Sequence, residues 1–129
     1  MAESLIDSNV LVGAANTADA LHARAVKMLL ECPKPVVIHE YAILETAAVL
    51  MNRADKQTSD AFLRGVLQNA DVKILWSSRE TFLAGMTEFL DTKAKLSLVD
   101  STFLALSGEY DILTFDEALI RALKRKAGA

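Results

Sequence analysis

Four short apolar runs, SLID (4–7), PVVI (35–38), VKILW (72–76) and DILTF (111–115), recur along the chain with helix-patterned stretches between them. This alternation is the strongest constraint on the fold. Strands joined by roughly a dozen or more residues of helix do not pair as hairpins. Each crossover returns the chain in the same direction, so the expected product is a mostly parallel sheet with helices over both faces. Between the first two runs, NVLVGAA reads as the start of a helix, and DALHARAVKMLLE (19–31) sets Leu21, Ala25, Met28 and Leu29 at helical spacing until Pro33 and Pro35 stop it. A helix from about His39 to Arg53 follows the second run, and one from about Thr58 to Ala70 places Phe62, Leu63, Val66 and Leu67 on one face. After the third run, Ser77 and Glu80 form a capping-box signature, and Phe82, Leu83, Met86, Phe89 and Leu90 are expected on the core side of the helix that follows. A further helix is expected from Ser97 to about Gly108, and the last from Asp116.

A chain of 129 residues can bury a working core without disulfides or structural metal, and with no repeat, linker or low-complexity tract, 1–129 reads as one domain. Charged residues make up 24% and hydrophobic ones 52%, which excludes the disordered class. Cys32 is alone and there are two histidines, so neither an intrachain disulfide nor a His/Cys zinc site is available, a pattern suited to a reducing cytoplasm. The apolar patch VLVGAA follows Asp7, lacks a basic leader and falls short of the roughly 20 residues of a membrane span. No export signal and no membrane helix are expected. A net charge of −3 argues against bulk electrostatic coating of nucleic acid and leaves only a local basic patch to contact it.

Within YAILETAAVL (41–50), Glu45 has Tyr41 and Ala42 one turn back and Ala48 and Val49 one turn on, none able to pair with a carboxylate. An ion taken out of water needs a partner, so a group outside this helix is expected to answer it. Asp7 ends the first strand, Asp116 follows the last, and Asp100 lies in the first turn of SLVDSTFLAL. In open parallel sheets ligands sit beyond the carboxyl ends of the strands, where all four acids can point. Each of three has a structural reading as well: Asp7 and Asp116 as helix N-caps, and Asp100 as the acid of the box Ser97-x-x-Asp100. Two unit charges ~4 Å apart repel by about 4 kcal/mol at an effective dielectric near 20, so four together require a cation. An oxygen-rich set without histidines suits Mg²⁺ or Mn²⁺.

Taken in order, LIDSNVLV, HEYAILETAAVL, LSLVDSTFLAL and LTFDEAL resemble the four sequence blocks of the PIN domain family over nearly the whole chain, and the length is close to that of VapC-type toxins of prokaryotic toxin–antitoxin pairs. The resemblance implies an α/β fold of three layers, α/β/α, around a parallel sheet of four to five strands. It also implies a metal-dependent ribonuclease in which Asp7, Glu45, Asp100 and Asp116 are the catalytic and metal-holding acids. Ser8 and Asn9 match the polar pair after the first acid, and Thr114 matches the hydroxyl before the last. Hydrolysis of RNA by water with a 3′-hydroxyl product, a homodimer and a VapB-type antitoxin partner are implied with it. The chain departs from many members in ending ALIRALKRKAGA, without a further short strand, and in a compact segment between Asp100 and Asp116.

Arg53, Lys56 and Arg64 are candidates for RNA phosphates, whereas Arg121, Lys124, Arg125 and Lys126 read as the solvated end of a helix. His22 and His39 read as surface and helix-start residues rather than acid–base groups, and Trp76, Phe82 and Phe89 as core or dimer contacts. Two other readings compete. A receiver-like phosphoacceptor needs paired acids at the first strand and an aspartate ending the third, and SLID and VKILWSS lack them. A noncatalytic PIN-fold RNA-binding or scaffold protein would have little use for all four acids.

Overall fold

The structure, a computed structural model, describes residues 2–128. Its elements are β1 (Glu3–Ile6), α1 (Ser8–Ala15), α2 (His22–Glu31), β2 (Val36–His39), α3 (Glu40–Arg53), α4 (Lys56–Gln68), β3 (Val72–Leu75), α5 (Arg79–Asp91), α6 (Leu98–Leu106), β4 (Tyr110–Leu113) and α7 (Glu117–Gly128). The strands form one parallel sheet in the order β3-β2-β1-β4, with Leu5 beside Val37 and Ile112 and Ile38 beside Ile74. Helices cover it in a three-layer α/β/α arrangement. From β1 the chain steps outward to β2 and β3, then crosses back to lay β4 on the far side of β1. The strand order therefore reverses between β1 and β4, and that is where such sheets open a ligand crevice.

Burial follows the topology. Leu5, Ile6 and Val37 on the two central strands are inaccessible, while β3 and β4, each paired on one side only, are half-buried or exposed. Phe103, Leu104 and Leu106 of α6, Leu50 of α3, and Leu119 and Ala122 of α7 are buried with them. No helix among the described residues is long and apolar enough to cross a membrane.

Several expected boundaries move by a residue or more, each for a local reason. Strand β1 stops at Ile6, so Asp7 caps α1 instead of ending the strand, and β2 continues to His39, whose side chain caps α3. Strand β4 ends at Leu113, which leaves Thr114 and Phe115 beyond it. Helix α2 begins at His22 rather than near residue 19, because Asp19 turns the chain by accepting the amides of Leu21 on its side chain and His22 on its carbonyl. Helix α4 begins two residues early on an Asp55 cap. The capping box expected at Ser77 and Glu80 is not formed: Ser78 caps α5 by accepting the amide of Thr81, and the Ser77 amide is taken by Glu40.

The larger correction concerns the apolar side of α5. Phe82, Leu83, Met86, Phe89 and Leu90 are exposed, Leu90 at 79%. The helix instead meets α6 through Gly85, where an added Cβ would lie 2.4 Å from Thr102 Oγ1 and 3.0 Å from Thr102 Cα. A close backbone approach of this kind leaves no room for large side chains between the helices. Leu67 of α4, expected on the same face as buried Val66, is also exposed.

Candidate active site

At the reversal point, β1 hands the chain to α1 through Asp7 and β4 hands it to α7 through Asp116. The Asp7 amide donates to the Leu113 carbonyl at 2.9 Å, closing the two strand ends together. The Asp7 side chain is 2% exposed. Its Oδ1 accepts the Ser8 amide at 2.7 Å, and its Oδ2 accepts the Thr114 hydroxyl at 2.7 Å and the Asn9 amide group at 3.4 Å. Asn9 also donates to Thr114 Oγ1 at 3.1 Å and accepts the Phe115 amide at 3.1 Å, while Thr114 Oγ1 accepts the Asp116 amide at 3.0 Å. Ser8, Asn9 and Thr114 therefore form the polar scaffold that fixes Asp7 and the start of α7.

Glu45 reaches this point from α3, and the Ser8 hydroxyl donates to its Oε1. That is the partner from outside the helix which the sequence required, although it is a hydroxyl rather than a cation, and Glu45 is half-buried rather than enclosed. Asp100 comes from the first turn of α6, held in a reciprocal box in which its amide donates to Ser97 Oγ at 3.0 Å and its Oδ2 accepts the Ser97 amide at 3.3 Å. Asp116 caps α7, its Oδ1 accepting the amides of Ala118 at 2.9 Å and Leu119 at 3.1 Å. The structural readings of Asp7, Asp100 and Asp116 as caps thus hold, and they coexist with a shared position. All four acids line one cleft of about 320 Å³. Capping consumes Oδ2 of Asp100 and Oδ1 of Asp116, and among the described residues the second oxygen of each, like that of Glu45, has no hydrogen-bond donor.

The electrostatics agree with that proximity. Burial pushes the Asp7 carboxyl up from its ordinary value near 3.8 to about 6; the Thr114 hydroxyl and Ser8 amide oppose the rise, and the charges of Asp100 and Glu45 add to it. The Asp100 carboxyl is raised for the same leading reason, opposed by Ser97 and reinforced by Asp116 and Glu45. None of the ion pairs among the described residues involves any of the four acids.

A metal ion fits this set in charge and in donor type. The cleft offers hard carboxylate and hydroxyl oxygens and no imidazole or thiolate, the preference of Mg²⁺ or Mn²⁺ over zinc. Among the described residues no three acidic, histidine or cysteine side chains close on one point as a ready cage. Asp7, Glu45, Asp100 and Asp116 are the residues that would hold such an ion, and Mg²⁺ commonly keeps several of its own waters when bound by a few carboxylates.

Other expected site residues separate on this geometry. Arg53 lines the cleft, whereas Lys56 and Arg64 do not, Lys56 pairing with Asp60 along its own helix. Asp19 also lines the cleft and was missed, because its sequence neighbours read as the start of a helix and its turn was not recognised. His39 is fully buried outside the cleft, its pKa lowered chiefly by burial and opposed by the nearby Glu40 charge. Its Nδ1 accepts the Tyr41 amide at 3.1 Å, and its ring packs on Tyr41 and Phe103. His22 is half-buried rather than on the open surface, with Nδ1 2.8 Å from the Gly13 carbonyl.

A family model described as the PIN domain matches residues 4–125. Among solved structures the fold superposes on VapC20 of Mycobacterium tuberculosis, described as a toxin that cleaves the sarcin–ricin loop, with a TM-score of 0.84 and 18% identity over 93% of this chain and 95% of that one. It also superposes on a chain of a toxin–antitoxin complex from Klebsiella pneumoniae with a TM-score of 0.64 and 18% identity, over 88% of this chain and 87% of that one. At this identity the two likenesses speak for the fold. No curated protein matches the chain closely enough in sequence to count as a relative.

Proposed function

The chain belongs to the PIN domain family, and from that premise we propose that it is a Mg²⁺- or Mn²⁺-dependent ribonuclease, the toxin of a VapBC-type toxin–antitoxin pair acting in the cytoplasm. The observation that carries this reading is the convergence of Asp7, Glu45, Asp100 and Asp116, from four separate elements, on one cleft at the strand-order reversal without a protein cation paired to them. These four hold the ion. Bound there, the ion supplies an acidified, oriented water and neutralises charge on the scissile phosphate and the leaving oxygen.

The protein's share is positioning. Asp7, with both oxygens engaged by donors and its side chain enclosed, is the fixed member. Glu45 is oriented through Ser8, and Asp100 and Asp116 are oriented by their caps while each keeps an oxygen for the ion or its water. The nucleophile in this reading is water: the Ser8 hydroxyl serves to orient Glu45, and Ser97 Oγ accepts the Asp100 amide.

Two partners complete the reading. An antitoxin partner is supported by the similarity to a chain solved within a toxin–antitoxin complex. A second copy of this chain is supported by the outward apolar side of α5. The experiment is cleavage of a labelled RNA by protein first stripped with chelator and then given Mg²⁺, Mn²⁺ or neither. Cleavage restored only by metal supports the enzyme; binding without cleavage under every metal condition supports a noncatalytic RNA-binding role instead.

A further inference from the structure

Every other charged side chain lining the acidic cleft is a carboxylate: Asp7, Asp19, Glu45, Asp100 and Asp116. Arg53 is the exception. It occupies the last turn of α3, is exposed, and takes part in none of the ion pairs among the described residues, so it does not act as a counter-ion clamped onto its acidic neighbours. Glu45, Val49 and Arg53 follow one another at spacings of four, which puts them on one stripe of α3, and all three line the cleft. Glu45 lies with the other acids, and Arg53 stands two turns further on, at about 12 Å along the helix axis given a rise of ~1.5 Å per residue.

We propose that Arg53 anchors a backbone phosphate of the RNA some nucleotides away from the bond that is cut, which makes this a site for a polynucleotide rather than for a short nucleotide. The proposal rests on the ribonuclease reading for the identity of the strand, and on α3 alone for its geometry. A stacked strand advances ~3.4 Å per nucleotide, so a helix position about 12 Å from that of Glu45 along α3, carrying a long side chain, can meet a phosphate within about four steps of the cut bond. Acids without metal repel that backbone, and Arg53 supplies the local attraction that a chain of net charge −3 does not supply in bulk. A guanidinium is suited to the task because its fork of donors matches phosphate oxygens. Lys56, which pairs with Asp60, and Arg64 lie outside the cleft and do not share this role. The competing role for Arg53 is to favour the dipole at the end of α3, which affects stability and not substrate.

The test compares the parent with Arg53→Gln and Arg53→Lys on two RNAs, a dinucleotide and a strand of about twelve nucleotides, long enough to span the predicted reach. Cleavage is followed with Mn²⁺, and binding of the longer strand is followed by fluorescence anisotropy in an Asp100→Asn background, where one carboxylate oxygen has no donor to oppose the new amide. For Arg53→Gln we expect KM on the longer RNA to rise about fivefold to tenfold with kcat within about twofold, no change on the dinucleotide, and a salt slope for binding shallower by about 0.7. The lysine variant should recover most of the loss, and the melting temperature should stay put. Equal effects on both RNAs, an unchanged KM on the longer one, or a loss that tracks melting temperature would overturn the anchor. If the parent cleaves neither RNA while the longer strand still binds in an Arg53-dependent way, the ribonuclease reading fails and the anchor stands. Cleavage with no dependence on Arg53 gives the reverse.

Discussion

Asp7 is buried among other acids, and its carboxyl holds its proton to about pH 6 in the native protein where an exposed aspartate gives it up near 3.8. Because the native value is the higher one, the metal-free fold is most favoured below the lower value and loses stability as pH rises from about 4 to about 6, by on the order of 3 kcal/mol. The raised Asp100 carboxyl adds a loss of the same sign. A divalent cation competes with these protons, so Mg²⁺ or Mn²⁺ should raise the melting temperature more at pH 7.5 than at pH 5. Calorimetry with and without metal at both pH values measures it, and an equal rise at the two would separate the metal from these carboxylates. At this scale the sequence was readable where chemical context was local: Glu45 had no helical partner, and Asp7 and Asp116 were legible as helix caps, although both lie beyond the strands rather than ending them. Asp19 was not readable, since its place in the cleft depends on a turn that brings α1 and α2 together rather than on its own neighbours.

Helix α5 shows where periodicity stops being informative. Apolar residues at helical spacing establish that one face disfavours water; they do not say what covers it. The contact between α5 and α6 is made by Gly85 against Thr102, and a glycine carries no hydrophobic signal to reveal that. The Ser77–Glu80 pattern misled for a similar reason, because Glu40, distant in sequence, claims the Ser77 amide and leaves Ser78 to cap. Gly85→Ala should push α5 away from α6 and cost about 1–3 kcal/mol, the range for overpacking a close contact. Since α6 also carries Asp100, the same substitution should reduce the stabilisation given by metal. Thermal denaturation of the variant with and without Mn²⁺ checks both effects, and parental stability would show that the two helices separate freely.

For the molecule as a whole, the alternation of strand and helix made a parallel sheet legible, and the family blocks made its three layers legible. The order β3-β2-β1-β4 was not, because a crossover can place its strand on either side of the first and only packing chooses. The reversal between β1 and β4 turns acids distant in sequence into neighbours. The outward side of α5, with Trp76 at 67% exposure, leaves an apolar surface that a second copy would cover. Light scattering at micromolar concentration should report about twice the 14.0 kDa chain mass, and Leu83→Lys on that surface should return it to one chain with the fold intact. A parent that stays at one chain mass would remove the dimer and leave the cleft untouched.

The central claim is that four carboxylates act together on bound divalent metal, and the most direct measurement is the rate of RNA cleavage under saturating Mn²⁺ for Asp7→Asn, Glu45→Gln, Asp100→Asn and Asp116→Asn, each checked for native circular dichroism. These changes keep size and remove charge. Each should lose roughly a hundredfold or more in rate, in line with or beyond the losses seen when groups around a metal are altered. Folding stays intact for Glu45→Gln, Asp100→Asn and Asp116→Asn, whereas Asp7→Asn turns an amide NH2 toward the Ser8 or the Thr114 and Asn9 donors and should also cost stability. Variants that fold and cleave at the parental rate would contradict the account.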